Sequence, residues 1–181
     1  MKAYISMLRG INVGGHKKIK MEDLRAMYEA LGFENVASYV QSGNVVFDSA
    51  ETKPAALAAR IEAQIAKTFG HEVLVFIRDA DDLRRIIAGN PFADRANINP
   101  ARLMVAFLNE PLTEAAVDAL AASDDSDDEF VVAGKEIYLY FPDGSGRSKL
   151  AAALSGKKLG TASTTRNWNT VTALADMASR E

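Results

Sequence analysis

Glycine and lysine residues follow the first apolar segment of the chain in a pattern that could bind an anion. Gly14 and Gly15 can adopt positive φ, which turns successive backbone N–H groups into a concave anion site. Lys17, Lys18 and Lys20 follow directly and supply positive charge. The segment predicts a phosphate site, although it lacks the Gly-Lys-Ser/Thr ending of a P-loop and the spacing of a dinucleotide fingerprint. A tight strand-to-helix connection with solvated lysines is the alternative interpretation.

A second polar segment, residues 41–44, separates two strand-like runs and is expected to lie beside the loop that follows the first strand. In a β-α-β-β-α-β unit the first two strands are parallel, so the loop after the first strand and the hairpin after the second lie at one edge. Ordinary hairpin chemistry also explains the Ser-Gly-Asn turn at 42–44, which leaves a purely structural role open. The ligand-binding residues predicted at this edge are Arg9, Asn12, Gly14, Gly15, Lys17, Gln41 and Asn44.

The second half of the chain has candidate anion-binding residues at a predicted helix N-terminus. Arg147 and Lys149 follow a glycine-containing loop, and free N–H groups at a helix N-terminus attract anions. The last predicted strand ends at the same edge and brings Arg166, Asn167 and Trp168 close. Arg166 could hold a phosphate while Trp168 stacks on a base or ring. Equally, Thr165 or Asn167 could cap the last helix, and Trp168 could be a core or rim anchor.

Apolar patterning predicts an α+β protein made of a tandem pair of ferredoxin-like β-α-β-β-α-β halves, each followed by an extra helix. The predicted domains are residues 1–99 and 100–181, and one mixed sheet is the alternative. The predicted strands are residues 3–9, 36–41, 45–48, 73–77, 103–108, 130–132 and 137–141, with a short one near 160–163. The predicted helices are residues 24–31, 54–69, 81–88, 113–121, 148–154 and 171–178.

Three segments look like the hallmark segments of a known bacterial family. They are Leu8–Gly15, Gln41–Phe47 and Thr164–Thr170, in that order along the chain. On these segments the chain resembles the domain of unknown function 1697 family over nearly its whole length. The resemblance implies an α+β fold with ferredoxin-like halves, in agreement with the patterning. It implies no established activity, so no catalytic residue is carried over from it.

The composition excludes several kinds of site. Cysteine is absent, which excludes disulfides, iron–sulfur clusters and cysteine nucleophiles. With only His16 and His71, we expect neither a metal site nor a cofactor. No apolar run approaches the ~20 residues of a membrane span and no signal peptide is visible, so we expect a cytoplasmic protein away from membranes. A net charge of -3 argues against tight DNA binding without sequence preference, but allows a local basic patch.

Three hypotheses remain open from the sequence. The first is a module that binds a phosphate-bearing ligand, either a nucleotide or single-stranded nucleic acid. The second is an enzyme acting on a phosphorylated small molecule, with His16 or His71 as general acid or base. The third is a protein-interaction or structural role, in which self-association uses an edge strand or an uncovered sheet face. The acidic run at residues 123–129 could pair with the second-half cations, repel a phosphate, hold a divalent cation or remain solvated.

Overall fold

The computed structural model describes residues 1–123 and 126–179, which fall into two compact units. The first unit comprises Met1–Arg85 together with the residues from Thr172 onward. The second unit comprises Ile86–Val171. Within the described residues, no helix combines the length and apolar character needed to cross a bilayer.

The first unit is built on a four-stranded antiparallel sheet. Strand order is β2-β3-β1-β4, and β1 runs antiparallel to both of its neighbours. Because β2 is antiparallel to β3, it runs parallel to β1, as a β-α-β-β-α-β unit requires. Its elements are β1 (Lys2–Leu8), α1 (Met21–Ala30), β2 (Glu34–Tyr39), β3 (Asn44–Ser49), α2 (Pro54–Phe69) and β4 (Val75–Asp79), followed by α3 (Ala80–Ala88).

The second unit repeats this topology. Its strand order, β6-β7-β5-β8, corresponds strand for strand to that of the first unit, and neighbouring strands are again antiparallel. The predicted pair of ferredoxin-like halves, each followed by a helix, is therefore confirmed. Its elements are β5 (Leu103–Leu108), α4 (Glu114–Ser123), β6 (Glu129–Ala133), β7 (Glu136–Tyr140), α5 (Lys149–Ala153) and β8 (Ser163–Asn167). The trailing helix α6 (Trp168–Ala178) begins in this unit, and its residues from Thr172 onward are counted with the first unit.

The core of the first unit lies between one face of its sheet and the helices α1 and α2. Tyr4, Leu8 and Phe47 lie on that face because alternate residues of a strand point to the same side. Tyr28 of α1 packs edge-on against Phe47, with the ring centroids 5.4 Å apart. The Tyr28 hydroxyl lies 2.7 Å from Ser6 Oγ, so the buried polar atoms satisfy each other. Burial raises the pKa of Tyr28.

The central strands of each sheet are also buried on the opposite face, which points away from α1 and α2 in the first unit. Ile5 and Met7 of the first sheet and Val105 and Phe107 of the second are inaccessible to solvent. Tyr138 lies on the same face of the second sheet as Val105, and its hydroxyl donates to the Ile86 carbonyl at 2.6 Å. On this face of the second sheet, the edge strand β6 is more exposed than the central strands, since Val131, which pairs with Tyr138, exposes 40% of its surface.

The repeat is visible in the residues that link the last strand of each unit to its trailing helix. Arg78 pairs in register with Ile5 of β1, and Arg166 pairs with Val105 of β5. The next residue caps the helix in both units. Asp82 N donates to Asp79 Oδ1, and Thr170 N donates to Asn167 Oδ1, each at 2.8 Å. An arginine followed by an Asp or Asn cap therefore occurs at equivalent positions.

The last strand lies later in the chain than the sequence predicted. It was expected near residues 160–163, whereas β8 spans Ser163–Asn167. Gly160 has a φ of 74° and caps the 3-10 helix Lys157–Leu159, so it cannot lie in an extended strand. Thr164 and Thr165 pair with β5 instead, as suits β-branched residues.

The cap of α3 predicts a pH-dependent contribution to stability. Burial raises the pKa of Asp79, but hydrogen bonds from Lys2, 2.6 Å away, and from the Asp82 amide outweigh it, and the pKa lies below its usual value. A lowered pKa gives stability that is present above the unfolded-state value of about 3.9 and is lost as pH falls through the folded value. We expect Asp79→Asn to melt at a lower temperature than the wild type at pH 7.

The difference between Asp79→Asn and the wild type should shrink as the pH of thermal unfolding is lowered below about 4. Lys2→Gln is the control background, because there the same substitution should lower the melting temperature less at pH 7. A difference that stays constant from pH 7 to pH 3 would contradict this account of the cap.

Candidate functional site

Three loops meet at one edge of the first unit. Residues 9–20 follow β1, residues 40–43 join β2 to β3, and residues 70–74 precede β4. Leu8 N donates to the Gly43 carbonyl at 2.9 Å, and Arg9 N donates to the Leu74 carbonyl at 3.0 Å. The structure thus brings together the two polar segments expected to be neighbours. We call these three loops the loop edge.

Asn12 holds the loop edge together with a single side chain. Its Nδ2 donates to the carbonyls of Gln41 at 2.7 Å and Ile19 at 2.9 Å. Its Oδ1 accepts from Ile19 N at 2.8 Å. Asn12 also has a φ of 55°, a left-handed conformation that asparagine tolerates better than most residues. The side-chain amide of this predicted ligand residue therefore makes its hydrogen bonds within the loop edge.

The two glycines of the predicted phosphate loop form a tight turn. Gly14 has a φ of 58° and Gly15 a φ of 78°, so both adopt the expected positive values. They are the central residues of a turn in which His16 N donates to the Val13 carbonyl at 3.0 Å. Positive φ at both central positions is the geometry of a type I′ turn, which by itself accounts for the glycine pair.

A cavity of about 620 Å³ opens at the loop edge. Of the predicted ligand residues, Asn12, Gly15 and Gln41 lie in its wall. The full lining is Asn12, Gly15, Lys18, Ile19, Lys20, Asp23, Gln41 and Phe69. Its volume falls within the range of roughly 300–1,000 Å³ that is usual for small-ligand sites.

Besides Ile19 of the first loop, two cavity residues that lie on helices were missed by the sequence reasoning. Phe69 is the last residue of α2 and is half-buried, although the sequence pattern assigned it simply to the apolar face of that helix. Asp23 lies in the first turn of α1 and is exposed. Whether these two residues reach the cavity depends on where α1 starts and where α2 ends. Only the helical periodicity of the sequence could therefore have indicated them.

Other predicted residues at the loop edge stabilise the backbone. Asn44 is fully buried, and its Nδ2 donates to the Tyr39 carbonyl at 3.2 Å and to Ser42 Oγ at 2.9 Å. Lys17 Nζ donates to the Glu72 carbonyl at 2.6 Å and so ties the first loop to the third. Arg9, the first residue of the loop after β1, is half-buried. Asn44 therefore maintains the hairpin rather than facing a ligand.

Three exposed aliphatic side chains also belong to the loop edge. Val13, Val40 and Leu74 expose 64%, 52% and 40% of their surface, and each belongs to a different loop of the edge. Val40 also has a φ of 51°, which is an outlier for a β-branched residue. The backbone strain of such a residue costs roughly 1–3 kcal/mol.

The predicted second-half cations lie around a very short helix. Arg147 and Lys149 are exposed next to α5, which has only five residues. Ser148 caps this helix by accepting from Ala151 N at 3.0 Å, and its hydroxyl lies 2.6 Å from Asp128 Oδ2. The capping side chain and a carboxylate thus already occupy the place where an anion was expected.

Arg166 lies inside a strand and not in the loop that follows it. Its guanidinium is buried and donates to Thr164 Oγ1 at 2.8 Å and to the Thr165 carbonyl at 3.0 Å. Burial lowers the pKa of Arg166 to about 10. Asn167 is the helix cap that the sequence offered as an alternative, and Trp168 is the half-buried first residue of α6. Arg166 and Asn167 thus hydrogen-bond within the chain, and their predicted role in ligand binding, like that of Trp168, stays a prediction.

The acidic run ends in an ion pair with an arginine. Glu129, at the end of the acidic run, accepts from Arg95 Nη1 with both carboxylate oxygens, at 2.8 and 2.9 Å. Asp124 and Asp125 of that run lie outside the described residues. His16 and His71 both lie in the loop edge. No group of three His, Asp or Glu side chains suited to a metal ion occurs in residues 1–123 and 126–179.

The strained Val40 predicts a substitution that raises stability. Asparagine tolerates the left-handed conformation, so Val40→Asn should remove backbone strain and raise the melting temperature, by the equivalent of roughly 1 kcal/mol. Val131→Asn is the matched control, because Val131 is an exposed valine in a regular strand and should gain nothing. A Val40→Asn protein that melts below the wild type would show that the valine side chain itself stabilises the hairpin.

Comparison with known proteins supplies a family and a fold. A family described as "Protein of unknown function (DUF1697)" matches residues 1–138. The solved structure of conserved bacterial protein SP0830 from Streptococcus pneumoniae is 25% identical and covers 98% of each chain, with a TM-score of 0.77. No curated protein matches the sequence. Because the family match extends over well more than half of its length, the chain belongs to the DUF1697 family.

Proposed function

We propose that the loop edge of the first unit binds a phosphate-bearing ligand, and that a nucleotide is the class that suits it best. The observation that carries the proposal is the cavity of about 620 Å³, whose wall combines two lysines, two side-chain amides and one aromatic ring. Such a mixture of charge, hydrogen-bonding groups and apolar surface is typical of sites for small polar ligands.

The charge of the loop favours an anion. Residues 9–20 contain Arg9, Lys17, Lys18 and Lys20 and no carboxylate. Lys18 and Lys20 are exposed and line the cavity, so a phosphate there would meet two ammonium groups. Asp23 is the one carboxylate of the lining, and it could accept a hydrogen bond from a ribose hydroxyl or a base amino group.

The uncharged residues favour a nucleotide over a bare phosphate. The half-buried ring of Phe69 offers an apolar surface on which a base could stack. Gln41 is exposed, and although its carbonyl accepts from Asn12, its side-chain amide can donate to and accept from a base edge. Asn12 would support binding indirectly, by fixing the loop that carries Lys18.

The test is thermal unfolding and calorimetric titration of the full chain with nucleoside mono-, di- and triphosphates, sugar phosphates, inorganic phosphate, and short DNA and RNA oligomers. A ligand that binds only the folded protein raises the melting temperature, by the equivalent of about 2.7 kcal/mol at a hundred times its Kd. We expect Lys18→Ala to weaken nucleotide binding about tenfold, because one charge-assisted hydrogen bond is lost.

Matched controls separate the parts of this site. Lys53→Ala removes the same charge from an exposed lysine at the opposite edge of the sheet, just before α2, and should leave binding unchanged. Phe69→Leu should weaken nucleotides more than inorganic phosphate, since only a base uses the ring. No shift with any of these ligands, or equal loss in Lys18→Ala and Lys53→Ala, would refute the site.

The exposed aliphatic residues of the loop edge favour a second candidate, which is docking of a protein partner. Val13, Val40 and Leu74 leave large apolar surfaces in water beside the lysines. Replacing Val13 and Leu74 together by serine should abolish capture of such a partner and leave any nucleotide response intact. Val131→Ser is the control for an exposed valine elsewhere. Identical sets of proteins captured by all three forms would exclude docking at this surface.

A further inference from the structure

A second cavity, of about 520 Å³, lies within the second unit between α4 and the segment that follows α5. One wall is the face of α4 that carries Ala116, Ala119 and Leu120. The other wall includes Ala153 at the end of α5 and the 3-10 helix Lys157–Leu159. None of these residues belongs to the loop edge, so the cavity is independent of the function proposed above.

The internal repeat shows why this cavity exists. In the first unit the equivalent helix layer is filled, because α1 buries Met21, Leu24, Met27 and Tyr28 against a 16-residue α2. In the second unit α4 buries only Ala116 and Leu120 among its described side chains, and α5 has five residues. Smaller side chains and a shorter helix leave a space that the same fold fills elsewhere with its own core.

The lining of this space suits a ligand with two unlike ends. Its walls are mainly aliphatic, with Leu120 and Leu159 almost fully buried at 2% and 3% exposure. Among the described residues of the lining, the charged ones are Lys157 and Lys158, both exposed to water, and none carries a carboxylate. An aliphatic chain would replace water along the walls while an anionic group faced the lysines.

We propose that this cavity binds a medium-chain aliphatic carboxylate, with its chain between α4 and the 3-10 helix and its carboxylate held by Lys157 and Lys158. A volume of about 520 Å³ is that of a small-molecule site. A docked protein would need a surface of roughly 800 Å² on this chain, far more than the mouth of such a cavity offers.

The experiment is calorimetric titration of the full chain with hexanoate, octanoate and decanoate, each below the concentration at which it self-associates. Affinity should rise about fourfold with each methylene until the chain fills the cavity, because burial of each CH₂ contributes a constant increment. Decanol, with the same chain and no charge, should bind about tenfold more weakly than decanoate.

Variants assign the binding to this cavity. Replacing Lys157 and Lys158 together by glutamine should reduce decanoate affinity to that of decanol and leave decanol unchanged. Ala119→Leu should fill the cavity and abolish the binding of both, whereas Ala121→Leu, on the exposed side of α4, should not. Ala153→Leu narrows the opposite wall and should act as Ala119→Leu does, which gives a second measurement if one of the two variants does not fold.

Three outcomes would overturn the proposal. They are the absence of saturable decanoate binding by the wild type, equal affinities for decanoate and decanol, and decanoate binding that survives in folded Ala119→Leu and Ala153→Leu proteins.

Discussion

The architecture depends on burial of both faces of each four-stranded sheet. Antiparallel sheets commonly leave one face in water, and their strands then alternate between apolar and polar residues. Here β1 and β5 are apolar at nearly every position, because one face of each sheet packs on helices and the other is also withdrawn from solvent. Polar groups inside the sheets must then be paired internally, as the Ser6–Tyr28 contact and the Arg166 hydrogen bonds show. Sites for ligands are consequently confined to the edges and to the helix layer.

At the loop edge, the side chain of Asn12 makes three hydrogen bonds to backbone groups, which in a helix or strand would pair with other backbone groups. By pairing with both the N–H and the carbonyl of Ile19 and with the carbonyl of Gln41, it fixes the loop after β1 against the hairpin. The glycine turn and the lysines can then project from a closed loop without a helix or strand beneath them. The cavity forms between this loop, the hairpin and the ends of two helices, because Asp23 of α1 and Phe69 of α2 complete its lining.

Much of the fold could be predicted from the sequence, because apolar runs and turn residues define its elements locally. Pro54 begins α2 and the Gly134 hairpin joins β6 to β7 as the patterning indicated. The last strand was misplaced because Gly160 was assigned to the strand rather than to the end of a 3-10 helix, and this error moved Arg166 into a loop that the structure does not have. The neighbourhood of the two polar segments followed from topology. Topology alone does not predict that Phe69 and Asp23 line the cavity, because their positions depend on how far α2 and α1 extend.

The two units show how one topology can acquire different capacities. Their strands and helix caps correspond closely, from Arg78 and Asp79 to Arg166 and Asn167. They differ where the fold tolerates change. The first unit keeps a filled helix layer and elaborates the loops at one edge, whereas the second has short connections there, such as the Ala133–Glu136 hairpin, and a thinned helix layer. Both changes leave the central strands of each sheet buried. A duplicated fold of this kind can therefore carry a polar site in one copy and an apolar one in the other.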